Sequence, residues 1–220
     1  MESPSPREEV SNQVVVREEV KDKPVGNGFK PFPTRNLVCP LRSRVKNMIR
    51  KCTQQDLSVM YEIINDAARA YKGVIPEDRW REPYMPIEEL KHEIDDGVVF
   101  WGYEEAGDLI GVMGLQDKGE VHLIRHAYVF TRSQNRGIAT KLLRHLERMT
   151  DKPILIGTWA DATRAIRFYQ KNGYRLLSRS ETEGLLKKYW KIPERQVATS
   201  VVLANPKWRT GNKANREILR

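Results

Sequence analysis

Between residues 47 and 204, apolar positions recur at two alternating periods, and each change of period marks an element. A short extended run over 47–53 ends in Thr53-Gln-Gln-Asp56, a hydroxyl residue followed three places on by an acid, which is a helix-start signature. Leu57, Met60, Ile64 and Ala67 then fall on one helical face. The stretch 71–85 is interrupted by Pro76 and Pro83 and is expected to be a loop. A short helix is expected from Pro86, where proline suits the first turn; it carries Ile87, Leu90 and Ile94 and is closed by Gly97. Extended runs at 98–103 and 109–115 flank an expected hairpin turn at 104–108, and a third strand is expected over 120–130.

Ile138, Leu142, Leu146 and Met149 mark the next helix, and 153–158 has the continuous apolar character of a buried strand. Asp161 is expected to cap a helix that runs to Asn172 and stops at Gly173. A strand at 174–178, a short helix at 182–190 and a last strand at 197–203 complete the series. Hairpins early and β-α-β units late predict an α/β chain with a mixed sheet flanked by helices.

Composition sets the limits of this unit. Residues 1–46 are rich in Pro, Gly and charge and lack apolar periodicity, so a disordered basic tail is expected there, with a second basic tail at 205–220. The formal net charge is +9, but 1–46 carry +3 and 205–220 carry +4, leaving +2 for 47–204. A nearly neutral folded unit argues against specific nucleic-acid binding. Cys39 and Cys52 provide no disulfide or metal framework, and no metal is expected. No apolar run has the length of a membrane helix, and the N-terminus carries neither a signal-peptide nor a transit-peptide pattern. A cytoplasmic protein without membrane contact is the expectation, and a homodimer is left open.

Candidate chemistry gathers at one join. After the third strand comes Thr131-Arg-Ser-Gln-Asn-Arg-Gly-Ile-Ala-Thr140, a basic polar loop in which Gly137 opens an amphipathic helix. The first turn of a helix offers unpaired N–H groups and the positive end of the peptide dipoles, which together hold a phosphate. Gly137 and Ala139 let a diphosphate approach the backbone, and Arg132 and Arg136 add charge-assisted bonds. The Gly-Lys-Ser/Thr of a P-loop and the three glycines of a dinucleotide fingerprint are both missing.

Gln134-Asn-Arg-Gly-Ile-Ala139 resembles the Gln/Arg-x-x-Gly-x-Gly/Ala signature of the GNAT superfamily of acetyl-CoA-dependent N-acetyltransferases. Some thirty residues on, Ala165-Ile-Arg-Phe-Tyr-Gln-Lys-Asn-Gly-Tyr174 is similar to that superfamily's Ala-Ile-x-x-Tyr-Glu-x-x-Gly-Phe segment. The resemblance spans essentially all of 47–204. It implies a mostly antiparallel sheet with one splayed parallel pair, helices on both faces, and acetyl-CoA as cofactor. By the same resemblance, the backbone of Ala127, Tyr128 and Val129 holds the pantetheine arm. The diphosphate is expected on Arg132, Gln134, Asn135, Arg136, Gly137, Ile138, Ala139 and Thr140. Tyr169 occupies the superfamily's general-acid position.

Two departures qualify the match. Ala162 stands where many members have a cofactor-binding Asn, leaving Asp161 or Thr163 as substitutes. Gly157 stands where some protein-acetylating members place a catalytic Glu. The base must therefore come from elsewhere, and Glu120, His122 and His126 lie on the strand entering the splay, with His126 nearest. Strict alternation puts His122 and His126 on one face and Arg125 on the other, though the superfamily's bulge leaves the facing open. Arg125 is expected to grip an acidic group on the acceptor, and Trp80 and Tyr84 in the 71–85 loop, with the 191–196 segment, are expected at the acceptor rim. The leading expectation is a small-molecule amine acceptor, which predicts that the 71–85 loop covers the site. A protein lysine or N-terminus predicts an open groove, and a non-catalytic acyl-CoA-binding module is a third reading.

Overall fold

The computed structural model describes residues 47–190 and 192–208. The expected tail at 1–46, and that at 205–220 beyond Trp208, lie outside the described residues. Seven strands form one sheet, β1 (Met48–Lys51), β2 (Val98–Glu105), β3 (Asp108–Asp117), β4 (His122–Val129), β5 (Ile154–Trp159), β6 (Arg175–Leu176) and β7 (Ser200–Ala204), in the order β1-β2-β3-β4-β5-β7-β6. The described helices are α1 (Leu57–Ala68), α2 (Ile87–Asp95), α3 (Ile138–Glu147), α4 (Thr163–Lys171), α5 (Arg179–Tyr189) and α6 (Glu194–Ala198). Among the described residues only β4 and β5 pair in parallel; every other strand pair is antiparallel.

Helices cover both faces of this mixed sheet, as expected, and β3 demonstrates it. Leu109 to Gln116 are all buried, which a strand achieves only when both of its faces are packed. A Cβ built on Gly111 would touch Ile138 of α3, whereas Gly114, on the other face, abuts Arg125, whose guanidinium reaches Glu93 of α2. The β2–β3 hairpin turns on Ala106 and Gly107, both at positive φ, the two-residue geometry that matches strand twist. At the start of α1, the Asp56 carboxylate accepts the Thr53 N–H at 2.7 Å and the Arg50 guanidinium at 2.8 and 2.9 Å, tying β1 to the helix.

Several boundaries differ from the periodic pattern. Asp161 does not cap α4; Ala162 is the N-cap and offers no side-chain bond. Helix α5 starts at Arg179, three residues early, because the Ser178 hydroxyl accepts the Glu181 N–H while the Glu181 carboxylate accepts the Ser178 N–H. Val197 and Ala198 belong to α6, a helix too short to leave a periodic signal, and β7 begins at Ser200. Ile94 is exposed, and the inward position on α2 is taken by Glu93. The folded chain also passes residue 204: the Asn205 side-chain oxygen accepts the Ile154 N–H at 3.1 Å, and Trp208 packs against the cluster around Leu155.

Candidate active site

The site is built where two neighbouring strands part. β4 and β5 pair at His122–Ile154, Leu123–Leu155 and Ile124–Ile156, and then stop. Beyond that point β4 follows β3 to Val129 while β5 follows β7 to Trp159. The backbone of Ala127, Tyr128 and Val129 thus borders a gap that no described strand fills. A bulge in β4 drives the parting: Gly114 pairs with Arg125 and Val112 with Tyr128, so His126 and Ala127 together oppose Met113. His126 has φ of 48°, uncommon for a residue with a side chain, and Gly114 opposite has Arg125 O only 3.0 Å from where a Cβ would stand.

This bulge breaks the alternation assumed for β4. Arg125 and His126 both reach Glu93 of α2 instead of taking opposite faces. Arg125 Nη2 lies 2.6 Å from Glu93 Oε1, and Arg125 Nη1 donates to Gln116 Oε1 at 3.0 Å. His126 Nε2 stands 3.1 Å from Glu93 Oε2, at contact distance but not aligned as a hydrogen bond. Its ring stacks on the buried Phe100, with centroids 6.0 Å apart. Burial opposes ionisation of Glu93, but His126 and the positive charge of Arg125 outweigh it and hold the carboxyl below the usual glutamate value. Glu120 and His122 are elsewhere. Glu120 accepts from Lys188 and Tyr189 in the turn before β4, and His122 Nδ1 lies 3.0 Å from Thr150 Oγ1 at the closed end of the strand pair.

The loop after β4 has the shape its sequence requires. Asn135 and Gly137 both take left-handed backbone, at φ 61° and 75°. A Cβ on Gly137 would meet nothing within 4 Å, so glycine is needed there for its conformation and not for space. From Asn135 to Thr140 the backbone N–H groups donate to nothing among the described residues, and α3 has no side-chain cap. Asp66, near the end of α1, accepts the Thr131 N–H at 2.7 Å and fixes the loop's entry. Gln134 bridges Val129 O, at 3.2 Å, and Arg164 of α4, at 2.8 Å. Arg136 is paired twice to Glu105, at 2.7 and 2.9 Å, and Arg132 lies 4.0 Å over the Phe130 ring. Ile138 is buried in the core while Ala139 and Thr140 are half-buried.

Aromatic side chains roof the gap. Tyr71 packs 5.8 Å from Tyr84 and edge-on to Tyr128 at 6.5 Å, and Trp80 lies 5.8 Å from Tyr84. Trp159 Nε1 donates to Tyr84 Oη at 3.4 Å. Ala162 is buried with Ile75 and Trp159 under the same loop, so an Asn there would place an amide in apolar packing. Burial raises the phenols of Tyr71, to about 12, and of Tyr84, Tyr128 and Tyr169, so all stay protonated at neutral pH. Tyr169 is 6% exposed, packs against Tyr174 and Phe168, and its hydroxyl makes no hydrogen bond among the described residues. On β5, Trp190 lies against Gly157, a contact that sequence reasoning did not anticipate.

Two features fit acetyl-CoA: the unpaired N–H row at 135–140, open to a diphosphate, and the unfilled strand gap, open to an extended arm. The comparisons agree. The model of the acetyltransferase (GNAT) family matches residues 58–174, and the chain belongs to that family. Its acyl donor, acetyl-CoA, is the cofactor, and the protein is an acyltransferase.

The fold is similar to PaiA N-acetyltransferase from Thermoplasma acidophilum solved with coenzyme A, at 20% identity over 73% of this chain and 98% of that one, with TM-score 0.56. It is also similar to a GNAT-family acetyltransferase from Staphylococcus aureus Mu50, at 18% identity over 73% and 98%, with TM-score 0.55. A third neighbour is the ribosomal-protein-S18-alanine N-acetyltransferase of Escherichia coli, at 17% identity over 73% and 94%, with TM-score 0.50. No curated protein matches the sequence significantly. Among the described residues, no helix is long and apolar enough to cross a membrane.

Proposed function

We propose that the protein N-acetylates a small amine by direct attack, with Tyr169 as general acid and His126 as general base. The observation that carries the small-acceptor reading is the packing of Tyr71, Trp80 and Tyr84 over the strand gap, the loop cover expected for a small acceptor. Trp190 adds to it by lying on Gly157, where some protein-acetylating members of the family carry a catalytic Glu. The acidic-group contact expected of Arg125 has less support, because its guanidinium already serves Glu93 and Gln116.

In this reading the N–H groups of Asn135 to Thr140 hold the diphosphate, with Arg132 and Arg136 beside them. Acetyl-CoA supplies the activated acyl group. The β4 backbone at Ala127 to Val129 bonds the arm and orients the thioester. His126 takes a proton from the acceptor amine, the new N–C bond forms as C–S breaks, and Tyr169 gives its proton to the leaving sulfur. A tyrosine raised by burial suits that last step, since it arrives protonated at neutral pH.

The test is thiol release from acetyl-CoA against a panel of small amines and peptides, with wild type, Tyr169→Phe and His126→Ala. Turnover on a small amine that both variants lower supports the reading. Turnover on peptides alone, or acetyl-CoA binding with no turnover on any amine, overturns it.

A further inference from the structure

We infer that Glu93 on α2 is a positioning residue for the reaction, fixing the orientation and proton of the His126 ring; this rests on His126 being the base. Three observations converge on it. The bulge at His126 turns the imidazole to the α2 face, where Nε2 comes 3.1 Å from Glu93 Oε2. The other Glu93 oxygen is tied at 2.6 Å to Arg125, and Arg125 is tied in turn to Gln116, which donates to Asp96 O at 2.8 Å. The carboxylate is therefore held from the far side. Phe100 stacks on the ring and limits its rotation.

The consequence is chemical. A carboxylate at Nε2 selects the tautomer that carries its proton there, and so leaves the Nδ1 lone pair for a substrate proton. Nε2 is buried against Glu93, while Nδ1 makes no hydrogen bond among the described residues. The present contact is 3.1 Å long but not aligned as a hydrogen bond, and catalytic hydrogen bonds commonly tighten on substrate binding. Proton balance is simple: His126 Nδ1 gains the amine proton, Nε2–H stays shared with Glu93, and the carboxylate itself is not protonated. The charged groups facing the ring are Glu93 and Arg125, with His92 next to Glu93 on α2.

Glu93→Gln keeps the size of the side chain and removes its charge. The expected result is a loss of about tenfold in kcat with acetyl-CoA affinity unchanged, counted per acetyl-CoA-binding molecule so that unfolded protein does not enter. In ¹⁵N NMR of the free protein, the His126 ring goes from one Nε2–H tautomer in wild type to a mixture in the variant, a change that packing alone would not cause. Glu93→Gln combined with His126→Ala loses no more than His126→Ala alone. Wild-type turnover and an unchanged tautomer in Glu93→Gln overturn the positioning role while a defective His126→Ala leaves the base assignment standing. Full activity in His126→Ala removes the base assignment itself.

Discussion

Trp190 lies on Gly157 so closely that a Cβ at Gly157 would come 3.1 Å from its Cε2, 3.2 Å from Cζ2 and 3.3 Å from Nε1. Gly157 is the first β5 residue beyond the pairing with β4, so this indole packs on β5 where the two strands have parted. Gly157→Ala is expected to push the ring by a few tenths of an ångström at a cost of about 1 kcal/mol. Trp190→Ala opens space beside Gly157, which is expected to enlarge the proposed acceptor side. Its ratio of kcat/KM for a bulky over a compact amine should rise about tenfold, measured on a graded series of amines. An unchanged ratio shows that Trp190 does not border the acceptor.

Tyr169→Phe removes a hydroxyl that bonds to nothing among the described residues, so no internal contact is lost with it. A fall in kcat of about a hundredfold is expected, with the acetyl-CoA Kd and the melting temperature close to wild type. Calorimetry and steady-state rates on the same preparation check it, and retained turnover rules out the acid role.

Glu105 competes for Arg136, holding it at 2.7 and 2.9 Å. Glu105→Gln should free the guanidinium for a diphosphate and lower the acetyl-CoA Kd by about threefold, an exposed pair being worth about 1 kcal/mol or less. Gly137→Glu does the opposite. It forces a side chain into left-handed backbone and sets a negative charge before the N–H row, so a rise in Kd of at least about tenfold is expected. Isothermal titration of both variants measures the two directions together.

Asp56 gives the fold an acid-sensitive joint. Hydrogen bonding to Arg50 holds its carboxyl far below the usual aspartate value. A depressed folded-state pKa contributes stability that is fully present above the unfolded value, about 3.9, and is lost as pH falls toward the folded one. Asp56→Asn should therefore be less stable than wild type by about 1 kcal/mol at pH 7, with the gap narrowing below about pH 4. Denaturant unfolding at several pH values reads the difference; a gap that widens in acid contradicts the assignment.

Much of this was legible in the sequence because it depends on local periodicity and local backbone chemistry. The alternation of periods located β2 to β5 and α1 to α4, and Gly137 after a basic loop marked the left-handed turn that opens α3 from residues only a few places apart. The early start of α5 was also written there, in Ser178 and Glu181, as the same capping signal that located α1. Helix α6 was hidden by its five residues, fewer than two turns. Glu93 had a faint signal, an acid one turn after the buried Leu90 on the inward side of α2, where Ile94 seemed the natural core residue.

The facing of β4 could not be read from the chain. Period-two alternation separates Arg125 from His126, and one residue at φ 48° brings both to a carboxylate more than thirty positions earlier. Trp190 and Gly157 are likewise distant in sequence, and their contact exists because Trp190, the C-cap of α5, packs on β5. The sequence by itself determined most of the elements and the family, both set by short-range patterns. Only the tertiary structure decided what surrounds His126 and Gly157, because bulge geometry and packing between distant elements choose which side chains share a face.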